Sequence, residues 1–159
     1  MISMLFVSPE VPQPMRERLA LGANKYFFSE LFAGEAAVSK EFANAGYPVC
    51  NMDREYGKQF DINSDLGFVN TLTTLLQTEV AVLMAPVCST FVPVNKGTAM
   101  RSLGSPLGNP THANNMANRM MNRVILLMWM MSALGICFIV EQPKGSYLQT
   151  MPRFQTVHT

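Results

Sequence analysis

The chain has 159 residues, of which 48% are hydrophobic and 14% charged, with a net charge of +1 and a mean hydropathy of +0.13. That length supports one domain with a real core. The near-zero charge, with basic residues scattered, argues against a strong field for nucleic acid or for an anionic membrane.

Residues 1–24 read as a lead-in segment. Met1 to Val7 is apolar but too short for a signal peptide, lacks a basic n-region, and is followed at once by Pro9, Pro12 and Pro14. A helical turn is expected around Arg16 to Leu21. The ordered part, residues 25–145, opens with a strand over Tyr26 to Phe32, whose aromatic and apolar run implies burial on both faces. Glu35 to Asn44 follows as a helix with Ala36, Ala37, Val38, Phe42 and Ala45 on its apolar face, closed by Gly46. Tyr47 to Met52 is the second strand and Phe60 to Ile62 a short third. Asn63, Ser64 or Asp65 caps a helix to about Gln77 that turns Leu66, Val69, Leu72, Leu75 and Leu76 inward. Glu79 to Ala85 is the fourth strand. Residues 86–112 form a long loop holding Pro93, Gly97, Gly104, Pro106, Gly108 and Pro110, a length that marks function or mobility in a compact domain. Ala113 to Leu134 is a long helix, and Ile136 to Val140 the fifth strand, ended by Gln142-Pro143. Residues 146–159 are a tail with little pattern.

Strand and helix in regular alternation give an α/β fold, a parallel sheet with helices on both faces. Numbering the strands from Tyr26 onward, right-handed crossovers predict the order 3-2-1-4-5, with the reversal of direction beside the first strand.

Two features of composition need a structural reading. Met116, Met120, Met121, Met128, Met130 and Met131 crowd one segment, which reads first as adaptable core filler. Val124 to Val140 carries no charge, near the lower edge of a transmembrane span of about 17–25 residues. Its first half is rich in Met and Leu, its second is β-branched and aromatic, and Gly135 divides them. A buried helix followed by a buried strand accounts for both halves better than a membrane span does. The three cysteines, Cys50, Cys88 and Cys137, form no C-x-x-C pair. That argues against a disulfide framework or zinc site and favours a reducing intracellular compartment.

In such a sheet the residues at strand C-termini carry the chemistry. The turn Phe32-Ala33-Gly34-Glu35 lacks the G-x-G-x-x-G pattern, and Glu35 would repel phosphate at the helix N-terminus. A cofactor without phosphate fits better, which favours S-adenosylmethionine over NAD. Asp53 follows Gly34 by nineteen residues, at the end of the second strand, where a carboxylate can accept hydrogen bonds from a ribose diol. Glu141, straight after an apolar strand, must find a partner or a site. Cys88 sits on a turn beside the long loop. It reads either as a small hydrophobe or as a nucleophile activated by Lys96 and Arg101, and the loop from Lys96 to Ser102 could alternatively clamp an acidic substrate. His112 reads as a first-turn polar residue.

Phe32-Ala33-Gly34, Asp53, Asp61-Ile62, Pro86-Val87-Cys88 and Val140-Glu141, in that order, resemble the motifs of Rossmann-like class I S-adenosylmethionine-dependent methyltransferases, and most closely the cytosine-C5 branch. The resemblance covers about residues 26–145. It implies a methyltransferase in which Phe32, Ala33, Gly34, Asp53, Asp61, Ile62 and Pro86 hold the cofactor, Asp53 at its ribose and Asp61-Ile62 at its adenine. It further implies Cys88 as nucleophile and Glu141 as the group engaging the acceptor. Val87 stands where that branch has proline, Ala36 where it has its second glycine, and Gln142-Pro143 where it has Asn-Val. The last strands and a target-recognition domain are not found, so the acceptor is left open and the charge does not support nucleic acid. The rival expectation is a non-catalytic domain of the same fold, docking a protein partner through an open sheet edge as a structural subunit, in one version within a membrane complex.

Overall fold

In the computed structural model, residues 3–7 and 25–157 are described. Five strands form one sheet: β1 (Ser3–Val7), β2 (Tyr26–Leu31), β3 (Val49–Met52), β4 (Thr78–Met84) and β5 (Cys137–Pro143). Their order is β1-β5-β4-β2-β3, parallel throughout except for β1, which runs antiparallel to β5. The helices are α1 (Ala37–Asn44), α2 (Asp65–Leu76), the single turn α3 (Lys96–Ala99), α4 (His112–Leu134) and α5 (Pro152–Gln155).

The fold is α/β with a Rossmann-like parallel sheet, as the alternation of periods implies. The strand order differs from the expected one in two places. Phe60 to Ile62 forms no strand. Lys58–Phe60 is a 3-10 turn instead, and β3 is left as the sheet edge. The segment read as a lead-in contributes β1, which pairs Leu5 with Glu141 and Ser3 with Pro143. The edge beyond β5, expected to be open, is therefore covered. The expected turn at Arg16 to Leu21 lies outside the described residues.

The chain steps from β2 to β3, then reverses across β2 to β4 and on to β5. Right-handed crossovers put α1 on one face of the sheet and α2 and α4 together on the other. The crevice at the reversal lies beyond the C-terminal ends of β2 and β4, where Leu31 is level with Met84 on one side and Met52 on the other.

The core belongs mainly to α4. Met121, Val124, Leu127, Met128 and Met131 are each 0% exposed against the sheet, so the methionines are core filler, each burial contributing about 1.5–3 kcal/mol. Gly135, in the left-handed region at φ 69°, ends the helix, and the apolar run continues as a strand. Among the described residues no helix is long and apolar enough to cross a membrane. Leu148, Met151 and Phe154 fill the core from beyond β5.

The buried face of α2 is the expected one only at Leu72, which packs against the core, and Leu75. Gly67, Thr71 and Leu75 are buried, whereas Leu66, Val69 and Leu76 are exposed. The helix is rotated because its backbone at Gly67 packs directly onto the backbone of Asp61, a contact that only a residue without Cβ allows.

Candidate functional site

At the strand-order reversal, β2 leaves the sheet through a tight turn. Phe32 (φ 59°), Gly34 (φ 50°) and Ala36 (φ 51°) are all left-handed. Glycine adopts that region freely, but each of the other two is held there at a cost of about 1–2 kcal/mol. The position at which the resembling motif carries its second glycine thus keeps glycine geometry under an alanine.

The loop after β3 clamps this turn from both sides. Gly34 N–H donates to Asp53 Oδ2 at 3.0 Å, and the Tyr56 hydroxyl donates to the Gly34 carbonyl at 2.5 Å. Asp53 Oδ1 accepts from Glu55 N–H at 2.9 Å, capping the 3-10 turn Arg54–Tyr56. Desolvation, then the carboxylates of Asp53, Glu30 and Glu35, raise the Tyr56 phenol above its usual pKa, so it stays a donor at neutral pH. Among the described residues, each Asp53 oxygen accepts one hydrogen bond and keeps one lone pair free.

The N-terminus of α1 is occupied by the protein itself. Glu30, 6% exposed, accepts from Ser39 N–H through Oε2 at 2.8 Å. Its carboxylate stands where a phosphate would sit in a dinucleotide-binding fold, against the positive end of the helix. Glu35, from which the sequence argues the same exclusion, is exposed. Glu30→Ala is expected to lower stability by about 2 kcal/mol and Glu30→Gln, which keeps an acceptor, by about half as much. Chemical unfolding checks this; an unchanged midpoint for Glu30→Ala would show that Ser39 needs no carboxylate.

The cleft in front of the turn is lined by Phe32, Asp53, Asp61 and Ile62, together with Asn63 and Val87, and encloses about 50 Å³ before opening to solvent. Residues from three separate strand ends and from the loop ahead of α2 meet there. Asp61 Oδ1 accepts from Asn63 N–H at 2.9 Å, and the Asp61 carbonyl accepts from Ser64 N–H at 2.8 Å. Ser64 caps α2 by accepting from Gly67 N–H at 2.9 Å. Arg123, reaching over from α4, donates to the carbonyls of Ile62 at 2.7 Å and Ser64 at 2.6 Å, stacks on Phe68 and pairs with Asp65. Its hydrogen bond and charge hold Asp65 below the usual carboxylate range. Asn63 Oδ1 is buried and has no hydrogen-bond partner among the described residues.

None of the remaining predicted residues lines this cleft. Ala33 is buried and donates its N–H to the Met52 carbonyl at 3.2 Å. Gly34 is engaged by Asp53 and Tyr56. The buried Pro86 offers its carbonyl to Gln142 Nε2 at 2.7 Å, and Ser146 Oγ donates to Gln142 Oε1 at 3.0 Å. Cys88 is half-buried, one residue beyond the cleft rim at Val87, and its carbonyl accepts from Phe91 N–H at 2.8 Å. Glu141 lies within β5, opposite Leu5 of β1 and on the other face from Gln142.

Sequence reasoning does not find Tyr56 or Arg123, and it places Asn63 and Gln142 at strand ends without giving either a role in the site. A cation four residues after Arg119 on a helix, with one acid at Asp65, is the only trace of Arg123; Gln142 leaves no signal beyond its place next to Glu141. Compared with protein-family models, with curated proteins and with solved structures, the chain matches none.

Proposed function

We propose that the chain is an S-adenosylmethionine-binding domain of methyltransferase type, its acceptor open. The observation that carries this reading is the convergence of Phe32, Asp53, Asp61 and Ile62 in one cleft at the reversal of strand order. Two features agree with a cationic, phosphate-free cofactor. Glu30 fills the phosphate position at α1. Asp53 and Asp61 give the cleft acidic character, and its cation Arg54 pairs with Glu55.

When bound, the cofactor supplies an electrophilic methyl group. The chain's part is to bind and align it. The free lone pairs of Asp53 take the ribose diol, Phe32 and Ile62 provide apolar contact, and Asp61 shapes the adenine end through its turn. On the acceptor side, Cys88 is the candidate to attack, being one residue from the rim, and Glu141 the candidate to orient the acceptor.

Calorimetry with S-adenosylmethionine on the purified chain tests this. Binding in the micromolar range is expected, weakened at least about tenfold by Asp53→Ala. A melting temperature that saturating cofactor does not move, with identical titrations for the two proteins, would remove the reading.

One observation favours the rival, a non-catalytic interaction subunit. The loop after β4 exposes Val94 and Leu103 at 86% and 77%. Under that reading the chain self-associates in light scattering without a partner.

A further inference from the structure

The two helices that share one face of the sheet present an uncharged outer side. On α2, Gly67, Thr71 and Leu75 are buried, and the opposite stripe is Leu66, Val69, Thr73 and Leu76, at helical spacing. On α4, the buried residues from Val124 to Met131 leave Leu126, Trp129 and Ala133 exposed at the same spacing.

The helices lie side by side. Arg119 and Arg123 of α4 both reach Asp65 at the start of α2, and Arg123 also holds the Ile62 and Ser64 carbonyls. Each is a crossover between parallel strands, so the two run in the same direction and their outer stripes form one surface.

That surface is apolar to an unusual degree. Leu66 is 61% exposed, Val69 55%, and Leu126 and Trp129 48% each. A surface helix ordinarily carries charges on the side away from the core. Here neither Leu66 to Gln77 nor Val124 to Leu134 contains one. Thr73, the hydroxyl in the α2 stripe, donates to the Val69 carbonyl at 3.0 Å and so asks for no outside partner. The charges stand at the rim. Asp65, Arg119 and Arg123 pair with one another at one end, and the exposed Lys25 and Glu79 stand at the other, where Lys25 N–H donates to the Gln77 carbonyl. An apolar centre inside a rim of both signs is the anatomy of a protein interface.

Its size suits a dimer. Two helices about 10 Å apart, each free of charge for about 17 Å, offer roughly 600 Å² of accessible surface per copy. Two copies would bury about 1,200 Å², the lower end of stable interfaces. The face holds no charge to repel its own copy and none to select a different protein. A lipid surface is drawn by free basic residues beside an apolar stripe, and the arginines here are paired.

We propose that the chain forms a twofold dimer, in which the outer faces of α2 and α4 pack on the same faces of a second copy. None of Leu66, Val69, Leu76, Leu126 and Trp129 lines the cleft, and the dimer depends on neither reading of it.

Sedimentation equilibrium of the full chain tests this without any cofactor. A species of twice the 17.7 kDa chain mass is expected, with a dissociation constant in the micromolar range. Val69→Lys and Leu126→Lys each set the same charge twice into an apolar interface and should weaken the dimer at least about tenfold. Both positions are exposed in the single chain and lysine is a good helix former, so dilute protein should keep its melting temperature. Leu103→Glu, on the loop that the rival reading uses, should leave dimerisation unchanged. A chain monomeric throughout the concentration series overturns the assignment, and its flotation with phosphatidylcholine vesicles would give the face to lipid instead. A dimer that survives both lysine variants, or that Leu103→Glu dissolves, overturns it equally.

Discussion

Gly67→Ala is expected to destabilise the protein by about 3 kcal/mol, lowering the melting temperature by roughly 6–12 °C. Helix propensity alone gives the opposite sign, since alanine inside a helix is about 1 kcal/mol better than glycine. The clash wins because of what a Cβ would meet: the Asp61 carbonyl oxygen at 2.0 Å, its carbon at 2.5 Å and its nitrogen at 2.9 Å. These are backbone atoms, and they cannot swing away as the end of a flexible side chain would. The Asp61 carbonyl is tied to Ser64, and Arg123 pins the carbonyls on either side of Asn63 to α4. The turn from Asp61 to Ser64 is also a wall of the candidate cleft. If the cleft binds S-adenosylmethionine as proposed, that binding should fall together with stability, and a variant that keeps its melting temperature would show this wall to be yielding. Thermal denaturation with and without S-adenosylmethionine reads both outcomes.

Much of the fold is legible because periodicity is. The change between strand and helix patterns places β2, β4, α4 and β5 within a few residues of their observed ends, and the spacing of strand ends brings Phe32, Asp53, Asp61 and Ile62 to one cleft. What escapes is set by contacts between parts distant in sequence. No local pattern says that Ser3–Val7 pairs with β5, because an apolar run of that length is equally a lead-in. The rotation of α2 depends on the approach of Gly67 to Asp61. Leu66 and Val69 keep a helical apolar period and still face solvent. Glu141 and Gln142 show how far one residue matters. The carboxylate is the chemically louder of the two, but successive strand residues point to opposite faces, and it is Gln142 that reaches the turn at Pro86. Likewise the spacing that marks Asp53 is real, yet both of its oxygens already accept from backbone, one from Gly34 N–H and one from Glu55 N–H. The acid that closes α1 to phosphate is Glu30 rather than Glu35, because a carboxylate inside β2 gives no outward sign of facing a helix end.

Arg101 is the other position where a single substitution should be severe. Its guanidinium lies 3.9 Å from the centre of the Phe91 ring and donates through Nη1 to the Pro106 carbonyl at 2.5 Å and Asn118 Oδ1 at 2.9 Å, and through Nη2 to Thr90 Oγ1 at 3.0 Å. One side chain thus ties together the turn after β4, the loop before α4 and α4 itself. Two effects oppose each other on replacement. Removing a desolvated cation is favourable, and Arg101→Met keeps most of the packing. Against this, the substitution leaves the Pro106 carbonyl, Asn118 and Thr90 without the donor they now have, at about 1–3 kcal/mol for each that stays buried. The second effect outweighs the first because three acceptors depend on one planar fork. Arg101→Met is expected to cost about 3 kcal/mol and Arg101→Ala, which adds a cavity, about 4–5 kcal/mol. Arg101→Lys should fail to rescue, since a single ammonium cannot reach the same acceptors with the same geometry or stack on Phe91 in the same way. Equilibrium unfolding in urea measures all three. If lysine restores wild-type stability, charge alone holds the loop. If methionine exceeds wild type, desolvation dominates and the fork contributes little. A large loss in all three variants is what the geometry requires, and it would make the acid-free loop after β4 a region braced from within by one buried cation.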